Sequence, residues 1–429
     1  MKGTRKMKPE IKQRIEQIKA GQVPDGYKRT KIGVVPLEWE IRQGGQIFAE
    51  RNECHNANLQ LLSITAEKGI IPRSDIDGKD TSSADKSKYK KICVGDIGYN
   101  TMRMWQGVSA FSSYEGIVSP AYTILSPMKY VNAKYYSYLF KLQNVINVFY
   151  RNSQGLVDDT RSLKYDWFKI IDMPYPPLAE QEKIVKILST QDRIIELYQR
   201  KIEELQKMKK IYLSKMFPKK GENAPEWRFS QFNDSWEQRK LGDIADIVGG
   251  GTPSTGNQSY WDGDIDWYAP AEIADQIYAN SSQKKITGLG YENSSAKMLP
   301  PGTVLFTSRA GIGKTAILTR KGCTNQGFQS IVPHRGELDS YFIFSRTEEL
   351  KRYGELVGAG STFVEVSGKQ MAVMELMMPP TMREQQTIGG FFQQLDHLIT
   401  LHQRKLEENK KYKNALMQLL LTGIVRCKW

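Results

Sequence analysis

A long helical pattern occurs twice in this chain of 429 residues. The copies are expected over about Leu178–Phe217 and Met382–Leu421. Aligned without gaps from Glu180 and Glu384, they are identical at 13 of 37 positions, whereas average composition would give about two identities by chance. A Pro-Pro pair precedes each copy, where proline ends the preceding element and suits the start of a helix. The chain is therefore predicted to use one structural unit twice.

Both copies carry seam residues at alternating steps of three and four, the spacing of a coiled coil. Each helix would span roughly 55–60 Å at ~1.5 Å per residue. We expect a paired coiled coil that acts as a spacer, with two core helices of one large domain as the alternative. Lys209 and Lys413 share one repeat position, so an antiparallel pairing is expected because it keeps them apart. The predicted spacer residues are Leu188, Ile195, Tyr198, Ile202, Leu205, Phe392, Leu395, Ile399, Leu406 and Leu416.

The formal net charge of +14 favours a polyanionic partner, DNA or RNA first, over a generally basic protein without such a partner. No run of 18 apolar residues is present, so no membrane association is expected. The Lys/Arg/Glu-rich N-terminus does not resemble a secretory signal. The four cysteines and four histidines have no zinc-binding spacing. These features predict a reduced, cytoplasmic protein without a metal site.

The fold is predicted to be α+β, with two mixed α/β domains joined by two long helices that form an antiparallel coiled coil. Trp39-Glu40 and Trp236-Glu237 open the two domains in the same way. The terminal segments of the two domains are similar, whereas their interiors differ in sequence. This pattern is typical of two modules that have the same place in the fold and recognise different targets. The predicted segments are a basic arm (1–34), domain 1 (35–177), helix 1 (178–217), a linker (218–231), domain 2 (232–380), helix 2 (381–422) and a tail (423–429).

Within these segments, strands are expected inside 91–99 and 303–307 and single helices over about 133–150 and 339–356. A short amphipathic helix is expected around Ile11–Ile18 of the basic arm. The arm is either a docking element for a partner or a loosely packed extension.

Three motifs come close to catalytic signatures without matching them. Ser308–Thr315 lacks the first glycine of a P-loop. Asp172–Tyr175 differs from the Asp-Pro-Pro-Tyr of adenine methyltransferases, and Asp77-Gly78-Lys79 covers half of a nuclease motif that is common by chance. We therefore predict no catalytic residue in this chain. The alternatives are an enzyme with an unrecognised nuclease or methyltransferase site and a coiled-coil scaffold without a DNA role.

Polar and basic residues in the two variable regions are the candidates for contact with DNA. The basic stretch Lys86–Lys91 either contacts phosphates or is merely solvated. The Gly-rich loop Gly249–Thr255 suits close approach to a groove, or it is a surface turn beside core tryptophans. The candidate DNA-binding residues are Lys88, Lys90, Lys91, Thr101, Arg103, Gly251, Thr252, Ser254, Ser308, Arg309, Lys314 and Gln329.

The order of several short motifs resembles the specificity subunit of type I restriction-modification systems. Each motif alone is weak, but their order is specific, and the resemblance covers about residues 35–425. Domain 1 lacks the Gly-Thr-Pro-Ser loop, which suggests a different subtype of recognition surface. The motifs are Trp236–Asp243, Gly250–Ser254, Tyr260-Trp261, Arg309–Lys314, Asn325–Phe328, Pro379-Pro380 with Glu384-Gln385, Gly116–Tyr122 and Pro176–Gln181.

The resemblance implies two target recognition domains that each read half of a split, asymmetric site in double-stranded DNA, with the coiled coil setting the gap. It implies a subunit without catalytic activity. Two methyltransferase subunits would bring S-adenosylmethionine, and two motor-nuclease subunits would bring ATP and Mg²⁺. No cofactor is expected in this chain itself.

Overall fold

Two compact units make up the computed structural model, which describes residues 8–65, 68–77, 82–273, 276–309, 311–359 and 365–427. Unit 1 comprises residues 1–197 and 405–429, and unit 2 comprises residues 198–404. Each unit therefore contains one globular segment together with part of each long helix. In the predicted scheme the helices formed segments of their own.

The first half of the chain contains the elements up to and including the first long helix. Its helices are α1 (Pro9–Lys19), α2 (Gly44–Ile47), α3 (Ala133–Leu139), α4 (Gln143–Asn152), α5 (Tyr165–Phe168) and α6 (Leu178–Lys215). Its strands are β1 (Tyr27–Thr30), β2 (Gly33–Pro36), β3 (Glu40–Gln43), β4 (Phe48–Glu50), β5 (Leu62–Thr65), β6 (Gly69–Pro72), β7 (Lys90–Ile92), β8 (Ile97–Asn100), β9 (Ser109–Phe111), β10 (Gly116–Val118), β11 (Tyr122–Pro127) and β12 (Asp172–Tyr175).

The second half repeats this plan and ends with the second long helix. Its helices are α7 (Leu241–Ile244), α8 (Gly288–Glu292), α9 (Ser340–Ser345), α10 (Thr347–Gly358), α11 (Gly368–Ala372) and α12 (Met382–Leu421). Its strands are β13 (Glu237–Lys240), β14 (Ala245–Gly249), β15 (Trp261–Tyr268), β16 (Tyr278–Ala279), β17 (Lys284–Ile286), β18 (Val304–Phe306), β19 (Thr315–Leu318), β20 (Gly322–Thr324), β21 (Gln329–Pro333) and β22 (Glu375–Met378).

The central sheet has the same strand order in both units. The order is β4-β11-β8-β9 in unit 1 and β14-β21-β18-β19 in unit 2, where β16 is added in parallel beside β19. A separate antiparallel pair, β3–β12 or β13–β22, ties the entry strand to the strand that leads into the long helix. The remaining strands differ, since unit 1 has β5–β6 and β7–β10 whereas unit 2 has β17-β15-β20. The predicted common frame with different surroundings is confirmed.

Large aromatic side chains fill the core between each central sheet and its helices. In unit 1 the ring of Phe48 packs edge-on against Tyr136, with centroids 5.3 Å apart, and lies against Phe140 and Phe168. In unit 2 the fully buried Phe306 and Phe342 belong to a cluster that also includes Phe392 of α12. The long helices therefore contribute directly to the cores.

The predicted helices over 133–150 and 339–356 are each broken in two. The first break turns at Leu142, which is buried and extended (φ −73°, ψ 134°). The second turns at Arg346, whose buried guanidinium donates a hydrogen bond to the Met377 carbonyl at 2.7 Å. Placing these two side chains in the interior requires a turn of the backbone, which a pattern of apolar residues alone does not reveal.

The long helices pack antiparallel in both units. In unit 1, Lys413 of α12 contacts Asp192 of α6 at 2.5 Å, and in unit 2 Lys209 of α6 contacts Asp396 of α12 at 2.7 Å. Both pairs join equivalent repeat positions, so the two seam lysines are kept apart as predicted. Leu205, Leu395 and Ile399 form the apolar contact in unit 2. All ten predicted spacer side chains are buried or half-buried.

A buried carboxylate at the start of each long helix anchors the adjoining globule. Glu180 accepts hydrogen bonds from the Trp39 indole (3.0 Å) and from two nitrogens of Arg426 (2.8 Å each). Glu384 accepts equivalent bonds from the indole of Trp236 (3.2 Å) and from Arg228 (2.7 and 2.8 Å). In both units the arginine follows the end of the other long helix, so this Trp-Glu-Arg clamp holds three segments together.

The N-terminal arm forms helix α1 and the β1–β2 hairpin, which confirms the short predicted helix. The arm packs on the tail of the same unit. The hydroxyl of Tyr27 donates to the Gly423 carbonyl at 2.8 Å, and Arg14 donates to the carbonyl of Ile424. These contacts exclude the loosely packed extension for the described part of the arm, residues 8–34.

The Trp-Glu-Arg clamp predicts a pH-dependent contribution to stability. Burial raises the pKa of Glu180, but hydrogen bonds from Arg426 and Trp39 outweigh it and leave the pKa below its ordinary value. Such a carboxylate stabilises the fold above its unfolded pKa of about 4.3, and the stabilisation is lost as the pH falls through the folded value. Glu180→Gln should lower the free energy of unfolding by ~2–3 kcal/mol at pH 7. The difference from wild type should shrink below about pH 4.

Urea unfolding of both proteins at pH 7 and pH 3.5 measures this difference. The control is Glu407→Gln, which removes an exposed pair with Lys410 and should change stability by less than about 0.5 kcal/mol. An equal loss of stability at both pH values would contradict the clamp.

Candidate nucleic-acid interface

Loops from equivalent strand ends meet at one edge of each central sheet. This strand-end face consists of residues 51–60, 101–103 and 119–121 in unit 1 and of residues 250–257, 307–309 and 325–328 in unit 2. Its backbone frame is repeated, since the N–H of Thr101 donates to the Ala121 carbonyl at 3.2 Å and the N–H of Ser308 donates to the Gly327 carbonyl at 2.8 Å. The two faces therefore share a geometry but carry different side chains.

In unit 2 three of the recognised motifs converge on this face. The Gly251 N–H donates to the Thr324 carbonyl at 2.8 Å, and the hydroxyl of Thr252 donates to the Gln326 side chain at 2.5 Å. Arg309 donates to the Gln326 carbonyl at 2.9 Å. A Cβ at Gly250 would lie 1.9 Å from the carbonyl oxygen of Asn325, so only glycine allows this approach. The separate motifs thus serve one surface.

The predicted residues of unit 2 have different exposures. Ser254, Arg309 and Lys314 are exposed, and Thr252 and Gln329 are half-buried. Lys314 lines a groove of about 870 Å³ together with Lys210 and Lys351, away from the three converging loops. Arg309 also lies 3.3 Å from Glu365, which offsets part of its charge.

Gly251 and Ser308 lie in the interior. The Gly251 carbonyl accepts a hydrogen bond from the buried indole of Trp267 at 2.8 Å. The Ser308 side chain is fully buried, and its hydroxyl has no hydrogen-bond partner among the described residues. The expected DNA contact through Ser308 therefore does not fit this conformation, because the side chain packs inside the loop.

The predicted residues of unit 1 fall into two groups. Lys90 and Lys91 are half-buried in ion pairs with Glu50 (3.4 Å) and Glu115 (2.8 Å), so much of their charge is offset. Thr101 is half-buried at the strand-end face with its hydroxyl 3.1 Å from that of Thr123.

The exposed cations of unit 1 lie at or beside the face. Arg103 is exposed at the strand end. Lys88 lines a cleft of about 580 Å³ with Arg73, Ser119 and Tyr122. Sequence reasoning missed the last three as candidates, although Ser119 and Tyr122 belong to a recognised motif and could have been found there.

The motifs close to catalytic signatures have structural roles where they are described. A P-loop connects a strand to a helix, whereas Ser308–Thr315 leads from β18 into β19, which pair in an antiparallel way. The segment therefore lacks the strand-to-helix context of a P-loop as well as its first glycine. Asp172–Tyr175 forms β12, in which the Pro174 carbonyl accepts a hydrogen bond from Tyr136. Of Asp77-Gly78-Lys79, the last two residues lie outside the described part of the chain.

Among the described residues, no three His, Cys, Asp or Glu side chains are grouped so as to hold a metal ion. The helices in the described part of the chain include none with the length and apolar character needed to cross a bilayer.

Comparisons with known proteins agree with the repeated plan. The type I restriction modification DNA specificity domain matches residues 36–207 and 233–410. A Methanocaldococcus jannaschii protein provisionally named type I restriction enzyme MjaX specificity subunit is 28% identical, covering 94% of this chain and 97% of its own length. The MjaIX specificity subunit of the same organism is 36% identical over 43% of this chain and 41% of its own length.

A solved structure shows the same fold. The type I restriction-modification S subunit from M. genitalium superposes with a TM-score of 0.57 at 14% sequence identity, covering 89% of this chain and 96% of that one. Two matched domains, two long helices and this fold lead to one conclusion. The chain belongs to the family of type I restriction-modification specificity subunits.

Proposed function

We propose that each unit reads one half of a bipartite, asymmetric DNA site through its strand-end face. The observation that carries this proposal is the pair of equivalent loop frames with different side chains and different surrounding strands. A shared frame presents each face in the same way, while the differing side chains select different bases. The subunit would act in the cytoplasm, where the cell's DNA lies.

Exposed cations and polar groups at each face supply the two kinds of contact that DNA recognition needs. Lys88 in unit 1 has the charge to contact phosphates, which dominate affinity and make it salt-dependent. Arg103 in unit 1 and Arg309 in unit 2 can contact phosphates and can also pair with a guanine edge, so that they add to base selection. Thr252, Ser254 and Gln326 have donors and acceptors that suit base edges. The net charge of +14 adds a long-range attraction.

The paired helices would set the number of base pairs between the half-sites. Their seam keeps one antiparallel register through reciprocal Asp–Lys pairs and apolar contacts. A rigid helix pair of fixed length is a suitable spacer, following the same geometric logic as half-site spacing in dimeric repressors.

Repeated apolar positions on the helices are suited to recruit two copies of a partner. Leu197 and Tyr412 are exposed in unit 1, and their repeat equivalents Leu401 and Met208 are exposed in unit 2. We propose that these surfaces bind two methyltransferase subunits, which bring S-adenosylmethionine. Two motor-nuclease subunits that use ATP and Mg²⁺ would complete the complex, and the specificity subunit itself would not be catalytic.

Each strand-end face should control only its own half-site. Arg103→Ala should weaken binding and relax base selection in one half, and Arg309→Ala in the other, by about 1–3 kcal/mol for each lost contact. Binding selection from random duplexes by the assembled complex measures both effects.

Matched controls lie beyond the opposite edge of the same central sheets. Lys129 follows β11 and Arg335 follows β21, and both are exposed. Lys129→Ala and Arg335→Ala should leave both half-sites unchanged. Relaxation of both halves by a single face variant would contradict independent reading.

Shortening both helices by one heptad should shorten the gap and leave the half-sites intact. Deleting residues 195–201 together with residues 399–405 removes equivalent heptads and keeps the pairs Gln191–Asn409 and Leu205–Leu395. Seven residues span ~10 Å, so the gap should shrink by at most about three base pairs. Binding selection measures the gap, and a changed half-site sequence would argue against the spacer role.

A charge at one apolar helix surface should remove one methyltransferase subunit and spare the other. Met208→Glu combined with Leu401→Glu should release the copy bound by unit 2. Leu197→Glu combined with Tyr412→Glu should release the copy bound by unit 1. In both cases the reason is that burying an unpaired charge is costly. Native mass spectrometry counts the bound copies. Leu356→Glu, at a position 77% exposed in α10, is the control and should retain both copies. Full assembly by either double variant would contradict the partner surface.

A further inference from the structure

A loop of unit 1 presents two neighbouring aliphatic side chains to solvent. Leu156 is 101% exposed and Val157 is 59% exposed, between α4 and α5. Single exposed apolar residues are common on protein surfaces. Leu156 and Val157 are neighbours at the tip of one loop, so that together they leave an apolar surface exposed to solvent.

The loop is held in shape by its own hydrogen bonds. Gln154 and Ser162 exchange two backbone hydrogen bonds of 2.8 and 2.7 Å, which close its stem. The Thr160 N–H donates to the Val157 carbonyl at 3.0 Å in a short turn. Gly155 has φ +144°, and a Cβ there would lie 2.7 Å from the backbone of Arg161, so glycine is required. The tip is therefore pre-organised, which lowers the entropy lost on binding.

The stem of the loop is tied to the strand-end face. The N–H of Leu163 donates to the Thr101 carbonyl at 2.9 Å. Residues Thr101–Arg103 belong to the strand-end face. Within them, the carbonyl of the exposed Met102 accepts a hydrogen bond of 2.9 Å from the Trp105 indole. The ring of Trp105 in turn contacts Tyr150 at the end of α4, with centroids 5.8 Å apart. The aliphatic tip thus belongs to the neighbourhood of the proposed DNA contacts.

Cations flank the loop in the sequence. Arg161 stacks over the ring of Tyr150 at 4.0 Å and pairs with Asp158 at 3.3 Å. Arg151, Lys164 and Arg103 are exposed nearby in the chain or at the face. Cations favour a polyanion, whereas an aliphatic tip favours an apolar surface. In duplex DNA, anionic groups and apolar surface lie side by side only where phosphates flank the faces and methyl groups of the bases.

We propose that Leu156 and Val157 insert between adjacent base pairs of the DNA bound by unit 1 and open that step. The proposal rests on DNA reading by the strand-end face. Aliphatic wedges in other DNA-binding proteins unstack a step at a cost of a few kcal/mol, which is offset by new contacts with the bent duplex. Flexible pyrimidine–purine steps open most easily, so the wedge would add a sequence preference without hydrogen bonds to bases. In unit 2, residues 360–364 of the loop between α10 and α11 lie outside the described part of the chain, and the proposal concerns unit 1 alone.

The test uses the assembled complex and its selected DNA site, with 2-aminopurine placed in turn at each step of the half-site read by unit 1. Fluorescence of this base rises when its stacking is lost. Wild type should raise it at one step, and Leu156→Ala with Val157→Ala should abolish the rise. Affinity measured by anisotropy should fall on the order of tenfold, which corresponds to about 1.4 kcal/mol. Leu156→Met should retain the signal, and Leu37→Ala, at a position 57% exposed outside the loop, is the control and should behave as wild type.

The outcomes separate this proposal from the proposed function. Specific binding by wild type without fluorescence change at any step overturns the wedge and leaves DNA reading intact. Absence of specific binding by wild type overturns DNA reading itself. A signal that persists in the double variant means that another group opens the step. If the double variant instead loses a methyltransferase subunit in native mass spectrometry, the tip is a protein contact and the wedge is wrong.

Discussion

The antiparallel register of α6 and α12 depends on two reciprocal ion pairs. Asp192 pairs with Lys413 and Asp396 pairs with Lys209, each in a half-buried setting where an unpaired charge would be costly. A slip of one helix along the other would separate both pairs. Tyr138 and Tyr341 also donate hydrogen bonds to these aspartates, so the register is coupled to each globule. Gly389 lets α12 pack closely against the globule of unit 2. A Cβ at this position would lie 2.5 Å from the side chain of Asp339, which caps α9.

The Trp-Glu-Arg clamps extend this coupling to the chain ends. Each clamp joins the entry of a globule, the start of one long helix and the segment that follows the other. The antiparallel pairs β3–β12 and β13–β22 and the order of four strands in the central sheet are shared by both units. Variation is confined to the strands outside this frame and to the loops at the strand-end face. This division suits the proposed function, in which the constant parts would assemble with constant partners while the reading surface changes.

The sequence predicted the features that arise from repetition and periodicity. The long helices, their antiparallel pairing and the common frame of the two domains follow from aligned residues such as Lys209 and Lys413, whose equivalent repeat positions can be read directly from the sequence. The breaks in the helices at Leu142 and Arg346 were missed. Each turn places one side chain in the core, and the spacing of apolar residues does not show which side chain is buried in this way. Ser308 was predicted to contact DNA because of its hydroxyl. Its side chain is buried by loops that come from three distant segments of the sequence, and their meeting cannot be read from the residues around Ser308. Arg73 and the Leu156 tip were missed for the same reason, since exposure is a property of the folded chain.

The proposed function requires that one chain reads two half-sites at a fixed separation. Genome-wide mapping of adenine methylation tests it directly, in cells that carry this chain with its methyltransferase subunit and in matched cells that lack this chain. If one chain reads both half-sites, a split motif with one methylated adenine on each strand and a constant gap is expected only in the cells that carry the chain. An unchanged methylation pattern on removal of the chain, combined with failure of the purified complex to bind DNA specifically, would contradict it.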